Sequence, residues 1–110
     1  MELWVILSLV WLHFFADFVL QTDKIALNKS NDNEILLQHV AIYAFCFLGF
    51  GPFYALVNMI LHFITDWFTS RITKKLWLAG ERHWFFVVIG VDQAIHMTCL
   101  FSTYNLLAYK

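Results

Sequence analysis

The chain has 110 residues, 61% hydrophobic, 19% aromatic and only 14% charged, with a formal net charge of -1. A soluble domain carries roughly 25% charged side chains, so this composition describes an all-α integral membrane protein of a single domain, residues 1–110. The charge balance excludes a nucleic-acid partner, which shows as a basic face or stripe.

Leu3 to Gln21 forms the first expected span, close to the ~20 residues that cross ~30 Å of hydrocarbon. Met1-Glu2-Leu3-Trp4 lacks the basic region of a secretory signal, and no small-residue cleavage site follows before Asp17, so this segment is expected to stay as an anchor. His13, Asp17 and Gln21 recur every four residues and share one helix face, which points inward. Trp4, Trp11, Phe15 and Phe18 occupy the opposite, lipid-facing side.

Thr22 to Glu34 reads as an aqueous loop, rich in Asn, Ser and Asp, with Asp32 or Asn33 able to cap the next helix. The second span runs over residues 35–50 and ends at the reversal Gly49-Phe50-Gly51-Pro52. His39, Tyr43 and Cys46 give it an inward stripe. In the third span, residues 53–73, Asn58, His62, Asp66 and Ser70 repeat every four residues. Arg71, Lys74 and Lys75 follow, with Gly80 as the expected helix stop. The fourth span, residues 84–107, carries Asp92-Gln93-Ala94-Ile95-His96, and Cys99 and Thr103 extend its polar face. Cys46 and Cys99 read as packing residues rather than a disulfide. Tyr54, Trp77, Trp84 and Tyr104 read as interfacial anchors, and His83 as a surface histidine.

The result is a four-helix transmembrane bundle. Lys24, Lys29, Arg71, Lys74, Lys75 and Arg82 lie beside the two long connections, whereas only Lys110 lies on the other side, which places both termini outside the cytoplasm. Counting at 1.5 Å per residue from the basic end puts His13, Asp17, His39, His62, Asp66, Asp92 and His96 within a band ~6 to ~18 Å deep.

A single His/Asp pair one turn apart is most simply a local ion pair. Three such pairs, each with an intramembrane carboxylate, together with His39 and contributions from every span, favour a functional site, because ionisable groups at membrane depth are costly. Imidazole and carboxylate groups converging from facing helices are how bundles hold metals, and mixed N/O donors suit a divalent transition metal, Zn first, with Mn, Fe or Co open. One metal or two would fit seven ligands. Such a site near the cytoplasmic side suits a hydrolase acting on a lipid ester or phosphoester, with Asp17, Asp66 or Asp92 taking a proton from water. A proton or metal-ion conductor and a structural or interaction subunit are the rival readings. Gln21, Gln38, Gln93 and Asn58 are expected to make interhelical hydrogen bonds. Membrane lipid is the expected partner, and a homo-oligomer is left open.

The string His13-Phe14-Phe15-Ala16-Asp17-Phe18-Val19-Leu20-Gln21-Thr22, then Asn28-Lys29-Ser30, His39, His62 to Asp66 and Asp92 to His96, resembles a family of small bacterial and phage membrane proteins of unknown function. This resemblance implies a multi-pass protein of the bacterial inner membrane. Members it resembles often carry a lysine close after the third-span aspartate, whereas here Trp67-Phe68-Thr69 follows and Arg71 is the nearest base in that span. More loosely, the pattern is similar to small membrane proteins labelled as predicted metal-dependent hydrolases.

Overall fold

The computed structural model describes residues 1–110 as an all-α fold of five helices. They are α1 (Leu3–Phe14), α2 (Asp23–Asn28), α3 (Asn33–Phe47), α4 (Pro52–Leu78) and α5 (Arg82–Leu107). A π-helical turn, Phe15–Val19, continues α1, and a 3₁₀ turn, Leu48–Phe50, closes α3. Two segments, Asn33–Phe50 and Arg82–Leu107, are long and apolar enough to cross a membrane. Leu3–Val19 is apolar but shorter. The 27-residue α4 carries Arg71, Lys74, Lys75 and a buried polar stripe, which lower its hydropathy despite its length.

Local chemistry sets the boundaries. Thr22 caps α2 by accepting a hydrogen bond from the Ile25 amide at 3.3 Å, so a helix stands where the composition reads as loop. Asp32 caps α3 through the Glu34 amide at 2.9 Å. Gly51 reverses the chain at φ 110°, and Pro52 then starts α4 at a position where its missing N–H costs nothing. At the far end the Glu81 amide donates to Leu76 O and the Gly80 amide to Trp77 O, with Gly80 at φ 75°, the pairing of a Schellman stop. The helix runs past the apolar span of residues 53–73 to the stop expected at Gly80, because the segment Lys74 to Leu78 is rich in good helix formers.

The helices alternate in direction. One end holds the α3–α4 reversal and the C-terminus, where the Tyr109 amide meets Phe50 O. The other holds α2 and the α4–α5 turn, tied by Lys74 to Asn31 and by Arg71 to Asn33. Six of the seven basic residues lie toward this second end.

The interior has two levels. Val5, Leu9, Tyr43, Phe47, Tyr54, Ala55 and Leu100 fill the end near the termini. Tyr54 belongs here rather than at an interface: it is fully buried, and its hydroxyl donates to Leu100 O at 2.7 Å. Asn58 bridges to α5 by donating to Thr103 Oγ1 at 3.0 Å. Beyond it the interior turns polar, and eleven of the 23 buried residues are polar or ionisable. Gln38 points outward instead of bonding between helices. Gln21 lies past the helical end, because the π turn uses an extra residue and the chain leaves the axis at Leu20.

Candidate metal centre

Each element delivers a ligand for a local reason. The π turn widens α1 at Phe15–Val19, and Asp17 sits in it, buried to 4% exposure. Such turns re-aim one side chain without breaking the helix. On α3, His39 lies one turn from Tyr43 on the buried face. On α4, His62 and Asp66 share the buried stripe, and on α5 so do Asp92 and His96. All seven sequence-predicted residues are buried and meet in one cluster.

The tightest group contains Asp17 Oδ1, His39 Nε2, His62 Nε2 and Asp66 Oδ2. His39 Nε2 lies 2.8 Å from Asp17 Oδ1, 3.2 Å from His62 Nε2 and 3.4 Å from Asp66 Oδ2. His62 Nε2 lies 3.2 Å from Asp17 Oδ1 and 3.1 Å from Asp66 Oδ2. A tetrahedron with metal–ligand bonds of ~2.0–2.1 Å has edges of about 3.3–3.4 Å, and five of the six separations among these atoms lie near or just below that length. Asp17, Asp92 and His96 form a second group that could hold an ion. His96 Nε2 lies 3.1 Å from Asp92 Oδ2 and 3.0 Å from Asp66 Oδ1. Asp66 therefore faces the first group with one oxygen and the second group with the other.

His13 stands outside both groups, unlike the ligand role expected of it. Gln93 Nε2 donates to Asp17 Oδ2 at 3.1 Å and to Asp92 Oδ2 at 3.0 Å, so its oxygen must face His13 Nε2, 2.7 Å away. That oxygen only accepts, which puts the proton on His13 Nε2 and leaves Nδ1 to accept from the Tyr43 hydroxyl at 2.8 Å. Both ring nitrogens are thus occupied, and His13 with Gln93 supports Asp17 and Asp92 from behind. Thr69 Oγ1 fixes the other side of Asp92 at 2.5 Å. His62 Nδ1 has no polar partner. Its ring is held by packing, stacked on His96 at 3.8 Å and against Tyr43 at 4.1 Å.

The cation at the centre is Lys29, whose Nζ lies 3.3 Å from Asp66 Oδ2. It arrives from the turn after α2, whereas Arg71 turns away to Asn33 and stacks over Trp67. The only sequence signal for Lys29 was its place in the Asn28-Lys29-Ser30 string. Thr69 could have been found one turn beyond Asp66 on the same face. Three buried carboxylates outnumber the one ammonium, and buried charge is costly unless compensated, so the balance falls to protons on the surrounding imidazoles or to a bound cation.

A cavity of about 480 Å³ connects this centre to the basic end. Asp17, Asp92 and Gln93 form its floor, and Lys29, Lys74 and Trp77 lie among its outer walls.

No curated protein and no solved structure matches the chain. A family model does match, over residues 5–109, which is nearly the whole length and includes every residue of the cluster. The chain belongs to that family, described as "Protein of unknown function (DUF3307)".

Proposed function

We propose that this chain is a four-span protein of the bacterial inner membrane that holds a divalent transition metal, zinc first, in its polar core, and hydrolyses a lipid ester or phosphoester there. The observation that carries the metal is the convergence of Asp17, His39, His62 and Asp66 at donor spacings of 2.8–3.4 Å. The membrane reading is supported by the inverted surface. Trp4, Trp11, Phe45, Phe53, Phe68 and Phe86 are exposed while His and Asp are buried, and only 17% of the most apolar stretch of α5 is buried. Two exposed-faced spans, α3 and α5, require α1 and α4 beside them to cover the polar core from lipid.

Asp17, His39, His62 and Asp66 would hold a divalent ion, which would supply Lewis-acid chemistry for hydrolysis. The residues of the chain do the remainder. Asp92, held by Thr69 and Gln93 at the cavity floor, is the carboxylate placed to take a proton, and the cavity admits a headgroup from the basic end. What argues against conduction is the apolar level: Val5, Leu9, Phe47, Tyr54 and Leu100 leave no carboxylate, imidazole or ammonium group between the cluster and the termini.

The test is elemental analysis of detergent-purified protein by inductively coupled plasma mass spectrometry, comparing wild type with Asp66→Ala and His96→Ala. Near-stoichiometric zinc, manganese or iron in wild type, lost from folded variants, is expected, followed by hydrolysis of a lipid ester or phosphoester by the loaded protein. A metal-free protein that cannot be reconstituted would overturn the metal centre. A loaded but inert one would overturn hydrolysis alone.

A further inference from the structure

The cavity above the centre has a composition of its own. Its polar lining carries two ammonium groups, Lys29 and Lys74, and the hydroxyls of Ser30 and Ser70 above the carboxylates of Asp17 and Asp92 at the floor. Lys74 is exposed, and its hydrogen-bond partner is the neutral Asn31 Oδ1 at 2.5 Å, so no carboxylate offsets its charge. Ser70 is 9% exposed, yet its Oγ has no hydrogen-bond partner in the protein. Gln21 Oε1 is likewise buried without a partner. Both residues line the cavity, one offering a donor and the other an acceptor. Buried polar atoms are rarely left so, because each costs about 1–3 kcal/mol.

The opposite wall is apolar, formed by Phe18, Phe85 and Ile89. At the mouth Leu27 and Leu78 are about three-quarters exposed, at 74% and 75%, beside the half-exposed Trp77. A free anion has no use for these side chains. An amphiphile does, since its headgroup needs the lysines and hydroxyl while its first methylenes need an apolar wall.

We propose that this cavity binds the phosphate-bearing headgroup of a membrane lipid. Lys74 and Ser70 take the phosphate oxygens, Lys29 adds its remaining N–H groups while it stays paired with Asp66 at 3.3 Å, Gln21 accepts from a headgroup hydroxyl or ammonium, and the acyl chain leaves past Leu27 and Leu78. A phosphate offers several acceptor oxygens and one to two negative charges, which matches the unpaired ammonium of Lys74, the spare N–H groups of Lys29 and the unpaired hydroxyl of Ser70. The proposal rests on the reading that the helices lie in a membrane, and it narrows the ester of the proposed reaction to one beside phosphate. It does not require that the centre hold a metal.

The experiment is native mass spectrometry of the full chain in detergent, titrated with a short-chain phosphatidic acid, the matching diacylglycerol and glycerol 3-phosphate. Metal content is measured on the same samples. A 1:1 phosphatidic acid adduct is expected, at least tenfold tighter than either control and weakened at least tenfold in Ser70→Ala/Lys74→Gln. Because Lys74 is exposed and Ser70→Ala removes one oxygen, both changes leave the fold intact, which circular dichroism checks. Equal binding of diacylglycerol, or an adduct indifferent to the double substitution, overturns the proposal. Equal binding of glycerol 3-phosphate overturns its lipid part. Loaded metal without lipid selectivity sinks this inference and leaves the metal reading standing; selectivity without metal does the reverse.

Discussion

Asp66 is the side chain on which the buried network turns, because His39, His62, His96 and Lys29 all point at its two oxygens. Asp66→Asn keeps its size and removes its charge. Breaking a buried pair costs about 3–5 kcal/mol, largely from the partner left alone. That partner is Lys29, so Lys29→Gln in the Asp66→Asn background should recover part of the loss, with a coupling of about 0.5–3 kcal/mol in a double-mutant cycle of unfolding in detergent. Additive losses would show that the contact carries no energy. Tyr54→Phe is a milder change: Leu100 O keeps its helical partner Tyr104, and the expected loss is about 1 kcal/mol in the same measurement. The His/Asp pairs were legible in the sequence because a four-residue repeat in an apolar background is a local signal. Lys29 and the diversion of His13 to Gln93 and Tyr43 were not, since both depend on contacts 30 or more residues apart.

At the scale of elements, the π turn and the Gly51 reversal are the two places where backbone geometry decides the outcome. Deleting Phe15 removes the extra residue that the π turn accommodates, so the segment closes as α-helix and Asp17, inside the turn, loses its present placement. Asp17 then leaves the cluster. We expect unchanged helical circular dichroism with bound metal lost, and retention of metal would show that the turn is incidental. Gly51 has φ 110°, and a Cβ there would lie 2.9 Å from the Tyr109 amide nitrogen. Gly51→Ala should therefore destabilise by about 1–3 kcal/mol, whereas Gly90→Ala, with open space around it, should be neutral or stabilising by up to ~1 kcal/mol. Thermal unfolding of the two variants side by side checks this. The reversal was readable from Gly49-Phe50-Gly51-Pro52. The π turn was not, because no residue type signals it, and α2 was hidden by polar composition that the Thr22 cap overrides.

For the molecule as a whole, the all-α class followed from the long apolar segments with their polar stripes, and the proposed membrane crossing has a direct test. A fluorescent reporter that matures only in the cytoplasm should stay dark when fused after Lys110 and light up when inserted at Asn31. The opposite pattern would invert the proposed topology. Apolar length identified α3 and α5 directly. For α4 the apolar stretch ends before the helix does, and Gly80 marked where the helix stops. The division of the interior into an apolar and a polar level has an electrical meaning. In the proposed orientation the cavity extends the cytoplasmic potential down to Asp17 and Asp92, so most of the membrane voltage falls across the layer of Phe47, Tyr54 and Leu100. A full crossing costs or gains about 2.3 kcal/mol per charge per 100 mV, but an ion entering from the cavity side traverses little of that field. Metal content should then follow the cytosolic ion pool and be the same in energised and de-energised cells.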